Sequence, residues 1–272
     1  MLDGIFSDTM VNMNWTEIKH YADKNALVLM PLGVIEEHGP HLCLGTDVYI
    51  AHIQSVFIKK KLEQEGQSVV IAPPFYWGVC QATGSFIGSF RIKKETARDL
   101  LYDIISSLIE FGFKNIYGIT GHGDIEHNIA MLDVFKKISG DYPINCRYTF
   151  YQDVLHHYGL DGNESYICPI GPQTIKINTS EYQDVHAGDI ETAIMYQFYP
   201  KITDINKAKS SPPVKLDNEH IMQWLYGGQT ESLSPEGYLG APADYNTVEV
   251  LNHLNDMAAR ISTAIIESLS DV

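Results

Sequence analysis

Apolar residues recur along the chain in two alternating patterns, namely short continuous runs and longer stretches with helical spacing. The patterns predict strands at 26–30, 68–72, 114–120 and 144–150, and helices at 47–65, 95–111, 128–138, 189–198 and 245–269. Strands that alternate with helices are typical of right-handed crossover connections. The chain is therefore predicted to have an α/β fold, a three-layer α/β/α sandwich around a mostly parallel sheet.

The periodic pattern fades between residues 200 and 244, where Pro, Gly, Ser and Asn are frequent. We expect irregular surface segments there. No repeat or low-complexity tract divides the chain, so residues 1–272 are predicted to form one domain. Hydrophobic residues make up 44% of the sequence, which is enough to bury a sizeable core.

Charge and composition exclude several classes of partner. The 34 acidic and 19 basic side chains give a formal net charge of −15, whereas binding to nucleic acid needs clustered Lys and Arg. No stretch approaches the roughly 20 apolar residues of a membrane helix, so no membrane partner is expected. The four cysteines are far apart and no secretory signal is visible, which predicts reduced thiols in a cytoplasmic protein.

The first segment with metal-binding potential follows the strand predicted at 26–30, where open α/β sheets place their ligand sites. Glu36, Glu37, His38 and His41 are close together there, and Asp47 follows them. A helix cap would explain Asp47 alone but not the four residues before it. Carboxylate and imidazole groups together suit Zn²⁺, Mn²⁺ or Fe²⁺. In an extended backbone Glu36 and His38 share a side-chain direction, so both can face one site.

A second such segment lies between the strand predicted at 114–120 and the next helix. Glycines on both sides of His122 permit close approach of the backbone to a ligand. His122 and Asp124 form a pair of metal ligands, and Glu126 and His127 are further candidates. The segment lacks the lysine and the spacing of a phosphate-binding loop.

A third segment places His186 before the helix predicted at 189–198 and Glu191 in its first turns. Interaction with the positive end of the helix would explain Asp189 and Glu191 singly. Three such segments at strand ends or helix starts favour a metal site. Because the metalloprotease helix and the serine-nucleophile signature are both absent, a metal-activated water is the predicted nucleophile.

The three segments together resemble the motifs of the creatininase (creatinine amidohydrolase) family. The motifs are GVIEEHGPHL at 33–42 with GTD at 45–47, TGHG at 120–123, and HAG-x-x-ET at 186–192, and GYLGAP at 237–242 adds support. Their order and intervals fit over nearly the whole chain. The resemblance implies two divalent ions, Zn²⁺ and/or Mn²⁺ with Fe²⁺ as a further candidate, at the C-terminal strand ends. It also implies a homo-oligomer, often a hexamer.

The resemblance further implies a role for each ligand. The implied ligands are Glu36 and His122 for one metal, His38 and Asp124 for the other, and Asp47 as the bridge between them. Many family members read Gly-Gly-Asn after the histidine of the second motif, and this chain does not. The second metal is therefore completed by one of three candidates, which are Asp124, Glu126 and His127.

The resemblance implies His186 as the catalytic acid/base, with Glu191 supporting the site. His186 suits proton transfer to the leaving nitrogen because imidazole titrates near physiological pH. The predicted function is that of a metal-dependent amidohydrolase acting on carbon–nitrogen bonds other than peptide bonds. Its substrate would be a small-molecule amide, cyclic or linear.

Two departures from the family pattern bear on the substrate. A Glu-His pair followed by Phe-Pro-Gly-Thr is usual in the family, but residues 82–89 here read ATGSFIGS. Creatininase itself covers its substrate with tryptophans, and this chain has none between Trp77 and Trp224. The sequence therefore does not predict creatinine as the substrate. Alternatives are a dinuclear-metal peptidase, a ring-opening hydrolase on a larger natural product, or a non-catalytic metal-binding protein.

Overall fold

A computed structural model describes residues 3–172, 182–227 and 230–271 of the chain. Within these ranges it contains one five-stranded sheet with the order β2-β1-β3-β4-β5, in which every pairing is parallel. The strands are β1 (Leu27–Leu32), β2 (Val69–Ile71), β3 (Asn115–Thr120), β4 (Asn145–Tyr151) and β5 (Ile167–Ile170). The helices in the same ranges are α1 (Trp15–Asp23), α2 (Thr46–Gln64), α3 (Lys94–Glu110), α4 (Ile125–Asp141), α5 (Asp189–Phe198), α6 (Ile205–Ser210), α7 (Asn218–Tyr226), α8 (Thr230–Leu233) and α9 (Thr247–Ser268).

Both faces of the sheet are buried, as expected of a parallel sheet with crossover helices. In β1, Val28 and Met30 pack into one core with α3 and α4. Leu27 and Leu29 point the other way and pack into a second core with α2, α5 and α9. Successive side chains of a strand alternate between its faces, so one apolar run supplies both cores. The predicted α/β/α architecture is confirmed.

The segment at 200–244 differs from the sequence prediction because it contains three short helices, α6, α7 and α8. Two of them begin at aspartates whose carboxylates accept backbone hydrogen bonds: Asp204 from Lys207 N, and Asp217 from His220 N. These carboxylates satisfy amides that have no partner within the helix, which stabilises even a short one. The prediction of wholly irregular structure there is therefore wrong.

Two other observations bear on the predictions from composition. Among the helices that the structure describes, none is long and apolar enough to cross a bilayer. No disulfide joins any of the four cysteines, all of which lie in the described residues.

Candidate metal and catalytic site

Two glycines allow the first and second sequence motifs to meet at the C-terminal edge of the sheet. A Cβ on Gly33 would lie 2.8 Å from Val48 N, and a Cβ on Gly121 would lie 2.6 Å from Asp47 O. Contacts this short exclude any other residue unless the backbone shifts. The start of α2, which carries Asp47, is therefore wedged between the ends of β1 and β3.

Asp47 lies between two histidines from different segments. Its Oδ1 is 3.0 Å from His38 Nε2, and its Oδ2 is 2.9 Å from His122 Nδ1. The three side chains are almost completely buried. Because each carboxylate oxygen faces a different imidazole, Asp47 has the arrangement of a carboxylate that bridges two cations.

The other ring nitrogen of each histidine is engaged with a backbone carbonyl. His38 Nδ1 donates to Glu36 O at 3.2 Å, and His122 Nε2 donates to Val79 O at 3.2 Å. The nitrogen that faces Asp47 therefore carries a lone pair in the neutral ring. Histidines that bind metals are oriented by this kind of second hydrogen bond.

Glu36 approaches the same centre from the loop after β1. Its Oε1 lies 3.1 Å from His122 Nδ1, and its Oε2 accepts a hydrogen bond from Thr83 Oγ1. Thr83 thereby holds one carboxylate oxygen and leaves the other directed at His122. Glu36 and His122 belong to the first potential ligand set, whose ligand atoms lie within 4.8 Å of one another, and Asp47 Oδ2 faces the same nitrogen of His122.

A second potential ligand set contains His38, Asp47 and Glu191, whose ligand atoms lie within 4.8 Å of one another. Glu191 Oε2 is 3.9 Å from His38 Nε2 and accepts a 2.6 Å hydrogen bond from Ala187 N. Burial raises the pKa of Glu191, partly offset by His38 and His186. The third motif thus brings a carboxylate beside His38.

The electrostatics of these groups indicate that the site needs positive charge. Burial lowers the pKa of His38, but Asp47, together with Glu191 and Glu36, outweighs burial and raises the pKa of His38 to about 10. Glu36 and Asp47 likewise raise the pKa of His122 well above its usual value, against burial. The two histidines in turn lower the pKa of Asp47, although burial opposes this. Without another cation, protons on the imidazoles supply the balancing charge.

The residues present fit a pair of divalent cations. Asp47 Oδ2 is buried without a hydrogen bond, although the nitrogen of His122 is adjacent. A carboxylate oxygen facing an imidazole lone pair is repelled unless a cation or a proton lies between them. Ligand atoms bound at about 2.0–2.1 Å to one ion lie roughly 3 Å apart, which matches the spacing here.

The three candidates for completing the second metal site have other contacts. Asp124 caps α4 through His127 N at 2.9 Å, and its Oδ2 accepts from Gln81 N at 2.6 Å. Glu126 pairs with Lys94 at 3.0 Å, and the His127 ring accepts a hydrogen bond from Val79 N. None belongs to a metal-sized ligand group among the described residues. Their role as ligands stays a prediction. The carboxylates that lie beside His38 are those of Asp47 and Glu191.

His186 shares a third group of potential ligand atoms with Glu36 and His38. Its Nε2 donates to Glu37 O at 2.9 Å, and its Nδ1 lies 4.0 Å from Glu36 Oε1. Its ring centroid is 4.3 Å from that of His38 and 5.0 Å from that of Trp224. Burial and His38 lower the pKa of His186, but hydrogen bonding to Glu37 and the charge of Glu36 outweigh them and raise it.

The segment at 237–242 holds His186 and Glu37 in place. The backbone of Leu239 pairs with that of His186 in an antiparallel bridge. Gly237 has a φ of +72° and leaves room for the Glu37 carboxylate, since a Cβ there would collide with it. These contacts explain how the segment at 237–242 supports the third motif, although the two are distant in sequence.

Sequence reasoning missed three residues at the site, namely Cys80, Thr83 and Trp224. Cys80 and Thr83 lie in the loop after β2, so the carboxyl-end position of that loop was a usable signal. Trp224 comes from α7, in the segment expected to be irregular, and no local pattern marks it. A tryptophan therefore packs on His186 although none lies between Trp77 and Trp224 in sequence.

A cavity of about 840 Å³ opens beside the site at the C-terminal ends of β3, β4 and β5. His122 and Glu191 line one wall of it. The rest is mostly apolar and includes Ile119, Phe150, Ile194, Met222 and Met257. Cavities of this size and character accommodate ligands of several hundred daltons.

Comparison with known proteins shows the family to which the chain belongs. The model of the creatininase family (creatinine amidohydrolase) matches residues 11–265. This chain belongs to the creatininase family. Members of the family are amidohydrolases acting on carbon–nitrogen bonds other than peptide bonds, and the chain is accordingly a hydrolase, as predicted.

Two relatives differ in the activity that their names state. A mycofactocin precursor peptide peptidase from Mycobacterium ulcerans is 26% identical over 228 residues, which cover 82% of this chain and 77% of the relative. A creatinine amidohydrolase from Pseudomonas putida is 22% identical over 209 residues, which cover 74% and 75% of the two chains.

Solved structures share the fold. A manganese form of creatininase has a TM-score of 0.69 at 18% identity and covers 96% of this chain and 98% of its own. A creatininase variant of the Zn-Zn type has a TM-score of 0.69 at 17% identity and covers 95% and 97%.

Proposed function

We propose that the protein is a dinuclear-metal amidohydrolase that cleaves an amide bond in a substrate larger than creatinine. The observation that carries the metal site is the buried Asp47 carboxylate, with one oxygen facing His38 and the other facing His122. Glu36 and His122 would hold one ion, His38 and Glu191 the other, and Asp47 both. The Mn and Zn-Zn forms of creatininase support Zn²⁺ or Mn²⁺ as these ions. When bound, such ions lower the pKa of water and polarise a carbonyl.

The protein's own groups supply orientation and proton transfer. His186 is held through Nε2 by Glu37 O, and its Nδ1 faces Glu36. An imidazole in this position can deliver a proton to the departing nitrogen of the amide. Trp224 and His38 flank the ring of His186 and restrict its rotation. The support of His186 by Glu191, predicted from the sequence, is replaced in this proposal by a ligand role for Glu191.

The cavity supports a substrate with bulky apolar groups. Its volume of about 840 Å³ far exceeds the needs of a small cyclic amide, and its lining is mostly apolar. The leading substrate class is a linear or cyclic amide that carries an apolar portion. The same observation favours a second candidate function, a peptidase on a longer chain, because the relative from Mycobacterium ulcerans is named as a peptidase.

A substrate panel with a variant that narrows the cavity tests this proposal. Met222 lines the cavity and is 39% exposed, so Met222→Trp narrows the cavity with little cost to folding. We expect Met222→Trp to raise KM for apolar linear amides or peptides and to leave small cyclic amides unaffected. Val248→Trp, at a position that is 70% exposed and outside the cavity lining, is the control. Creatinine as the best substrate of the metal-loaded protein would overturn the substrate class.

We also propose one domain over residues 1–272 and assembly into a homo-oligomer, often a hexamer in the family. Exposed apolar side chains near the first motif support assembly, including Leu44, Ile87 and Phe90. Light scattering at micromolar concentration measures this directly. A monomer under those conditions would contradict the assembly.

A further inference from the structure

Cys80 lies at the candidate metal centre although no sequence motif includes it. Its side chain is 1% exposed, and its Sγ belongs to a ligand group with Glu36 and His122 in which all ligand atoms lie within 4.8 Å of one another. The other three cysteines belong to no such group among the described residues. Cys80 is thus a nucleophilic group at the centre to which the proposed function gives no role.

The backbone on both sides of Cys80 is fixed to the second motif. Before it, Val79 O accepts from His122 Nε2 at 3.2 Å, and Val79 N donates to the ring of His127. After it, the amides of Gln81 and Ala82 donate to Asp124 Oδ2 at 2.6 and 2.9 Å. Asp124 therefore positions this loop, and the loop holds the thiol beside His122.

A donor set around one ion can be assembled from these residues. Thr83 engages one oxygen of Glu36, so Glu36 offers a single oxygen to this position. His122 offers Nδ1, which Asp47 Oδ2 also faces at 2.9 Å. One nitrogen, one oxygen and one sulfur lie within 4.8 Å of one another. The bridging carboxylate proposed for Asp47 would be the fourth donor, and four is the usual number for zinc.

We propose that the Cys80 thiolate binds the same cation as Glu36, Asp47 and His122 and makes that position selective for Zn²⁺ over Mn²⁺. This proposal rests on the proposed dinuclear function. Sulfur ligands favour soft or borderline ions, whereas Mn²⁺ prefers oxygen. Binding replaces the S–H bond with a sulfur–metal bond and releases the proton to solvent, so no oxidant or reductant is needed.

The competing explanation is purely structural. Cys80 Sγ lies 3.4 Å from Phe90 O, and in this explanation the thiol serves only as a weak donor within the loop after β2. In that case the sulfur does not contact the cation. Spectroscopy of the metal-loaded protein separates the two explanations.

Cobalt substitution is the first test, since Co²⁺ bound to thiolate absorbs in the near ultraviolet through charge transfer from sulfur. We expect this band in the cobalt-loaded wild type and in Cys43→Ser, the matched control at a partly exposed thiol. Cys80→Ser should lose the band. A cobalt-loaded wild type without the band, or a band that survives in Cys80→Ser, would overturn the proposal.

X-ray absorption on the zinc-loaded wild type needs no variant, and so it remains decisive even if Cys80→Ser fails to fold. A sulfur scatterer at about 2.3 Å from zinc is expected, and a fit by nitrogen and oxygen alone would refute the thiolate. Competitive dialysis should show the preference for Zn²⁺ over Mn²⁺ reduced in Cys80→Ser by at least the roughly 10-fold typical of losing a supporting group. An unchanged preference would overturn the selectivity.

Metal analysis distinguishes failure of this proposal from failure of the proposed function. If the wild type binds its ions without sulfur, only the role of Cys80 is wrong. If the wild type binds no divalent ion, the dinuclear function fails and the thiolate ligand fails with it.

Discussion

The two edges of the sheet both bury polar side chains, but they do so in different ways. At the N-terminal edge, Asn145 Nδ2 donates to Tyr117 OH at 2.8 Å, and that hydroxyl lies 2.8 Å from Ser268 Oγ. At the C-terminal edge, carboxylates and imidazoles meet, and Asp47 Oδ2 has no hydrogen bond. At the N-terminal edge the polar groups form hydrogen bonds with one another. At the C-terminal edge the carboxylate and imidazole groups are directed at a common centre.

This difference separates a structural polar cluster from a ligand site better than burial does. Amide and hydroxyl groups can pair with one another at no cost in charge, so such a network contributes to stability alone. Several buried carboxylates cannot satisfy each other and need a cation or protons. The two clusters should therefore respond differently to substitution, to metal removal and to pH.

The largest expected effect is the loss of both metals in Asp47→Ala, because one carboxylate serves both positions. We expect the metal content to fall from about two ions per chain to near zero, with activity lost altogether. Mass-spectrometric metal analysis and circular dichroism measure this directly. Full metal content in folded Asp47→Ala would show that Asp47 does not bridge.

His186→Ala should keep both metals and reduce turnover by roughly 10²–10⁴-fold, the usual contribution of a general acid. His38→Ala should instead lose metal as well as rate. His186 also lies within ligand distance of Glu36 and His38, so the metal content of His186→Ala tests whether His186 itself binds metal. Loss of metal in His186→Ala, or turnover equal to wild type, would disprove this division of roles.

The stability of the protein should depend on pH through His41. His41 belongs to the same motif as His38, but its pKa is lowered whereas that of His38 is raised. Burial lowers the pKa of His41 to about 4, whereas the unfolded value is near 6.5. The unfolded state then binds the proton more readily, so stability present above pH 6.5 is lost as the pH falls toward 4.

We expect this loss to reach about 3 kcal/mol, from about 1.4 kcal/mol per pKa unit. His41→Gln should remove that part of the pH dependence, since glutamine can still meet Thr192 but does not titrate. Denaturant unfolding at several pH values, with chelator present, gives the slope. Equal slopes for the two proteins would contradict a neutral buried His41.

The smallest effect is expected at the N-terminal edge. Asn145→Ala removes the donor to Tyr117 and should lower the free energy of unfolding by about 1–3 kcal/mol. Metal content and turnover should stay at wild-type values. A clear loss of metal in this variant would mean that the two edges are coupled and that the comparison is wrong.

The fold could be predicted from the sequence to a large extent because apolar periodicity reports which faces of each element are buried. The predicted strand at 114–120 and helix at 189–198 match the structure within one residue at each end. The short β5 and the helices α1, α6, α7 and α8 were missed, since each of these elements is only a few residues long. Their few residues carry too little periodicity to identify them.

The candidate site was partly contained in the sequence. Glu36, His38 and Asp47 lie within one loop and the helix after it, and His122 has glycines on both sides, so local sequence marked them as metal-ligand candidates. Which groups surround them was decided by tertiary packing, which brings Cys80 and Thr83 from the loop after β2. Packing also gave Asp124 a backbone-capping position and placed Glu191 beside His38.

The sequence marks candidate residues but not their contacts, because the end of a strand specifies at which edge of the sheet a side chain lies and not its distance from side chains of other loops. Side-chain chemistry, strand ends and flanking glycines can be identified along the chain, and these determined the hydrolase family of the chain and its α/β/α fold. Contacts between loops depend on how helices pack across the sheet, as with Trp224 on His186. Only the tertiary structure decided the donor set, the orientation of the imidazoles and the size of the cavity beside them.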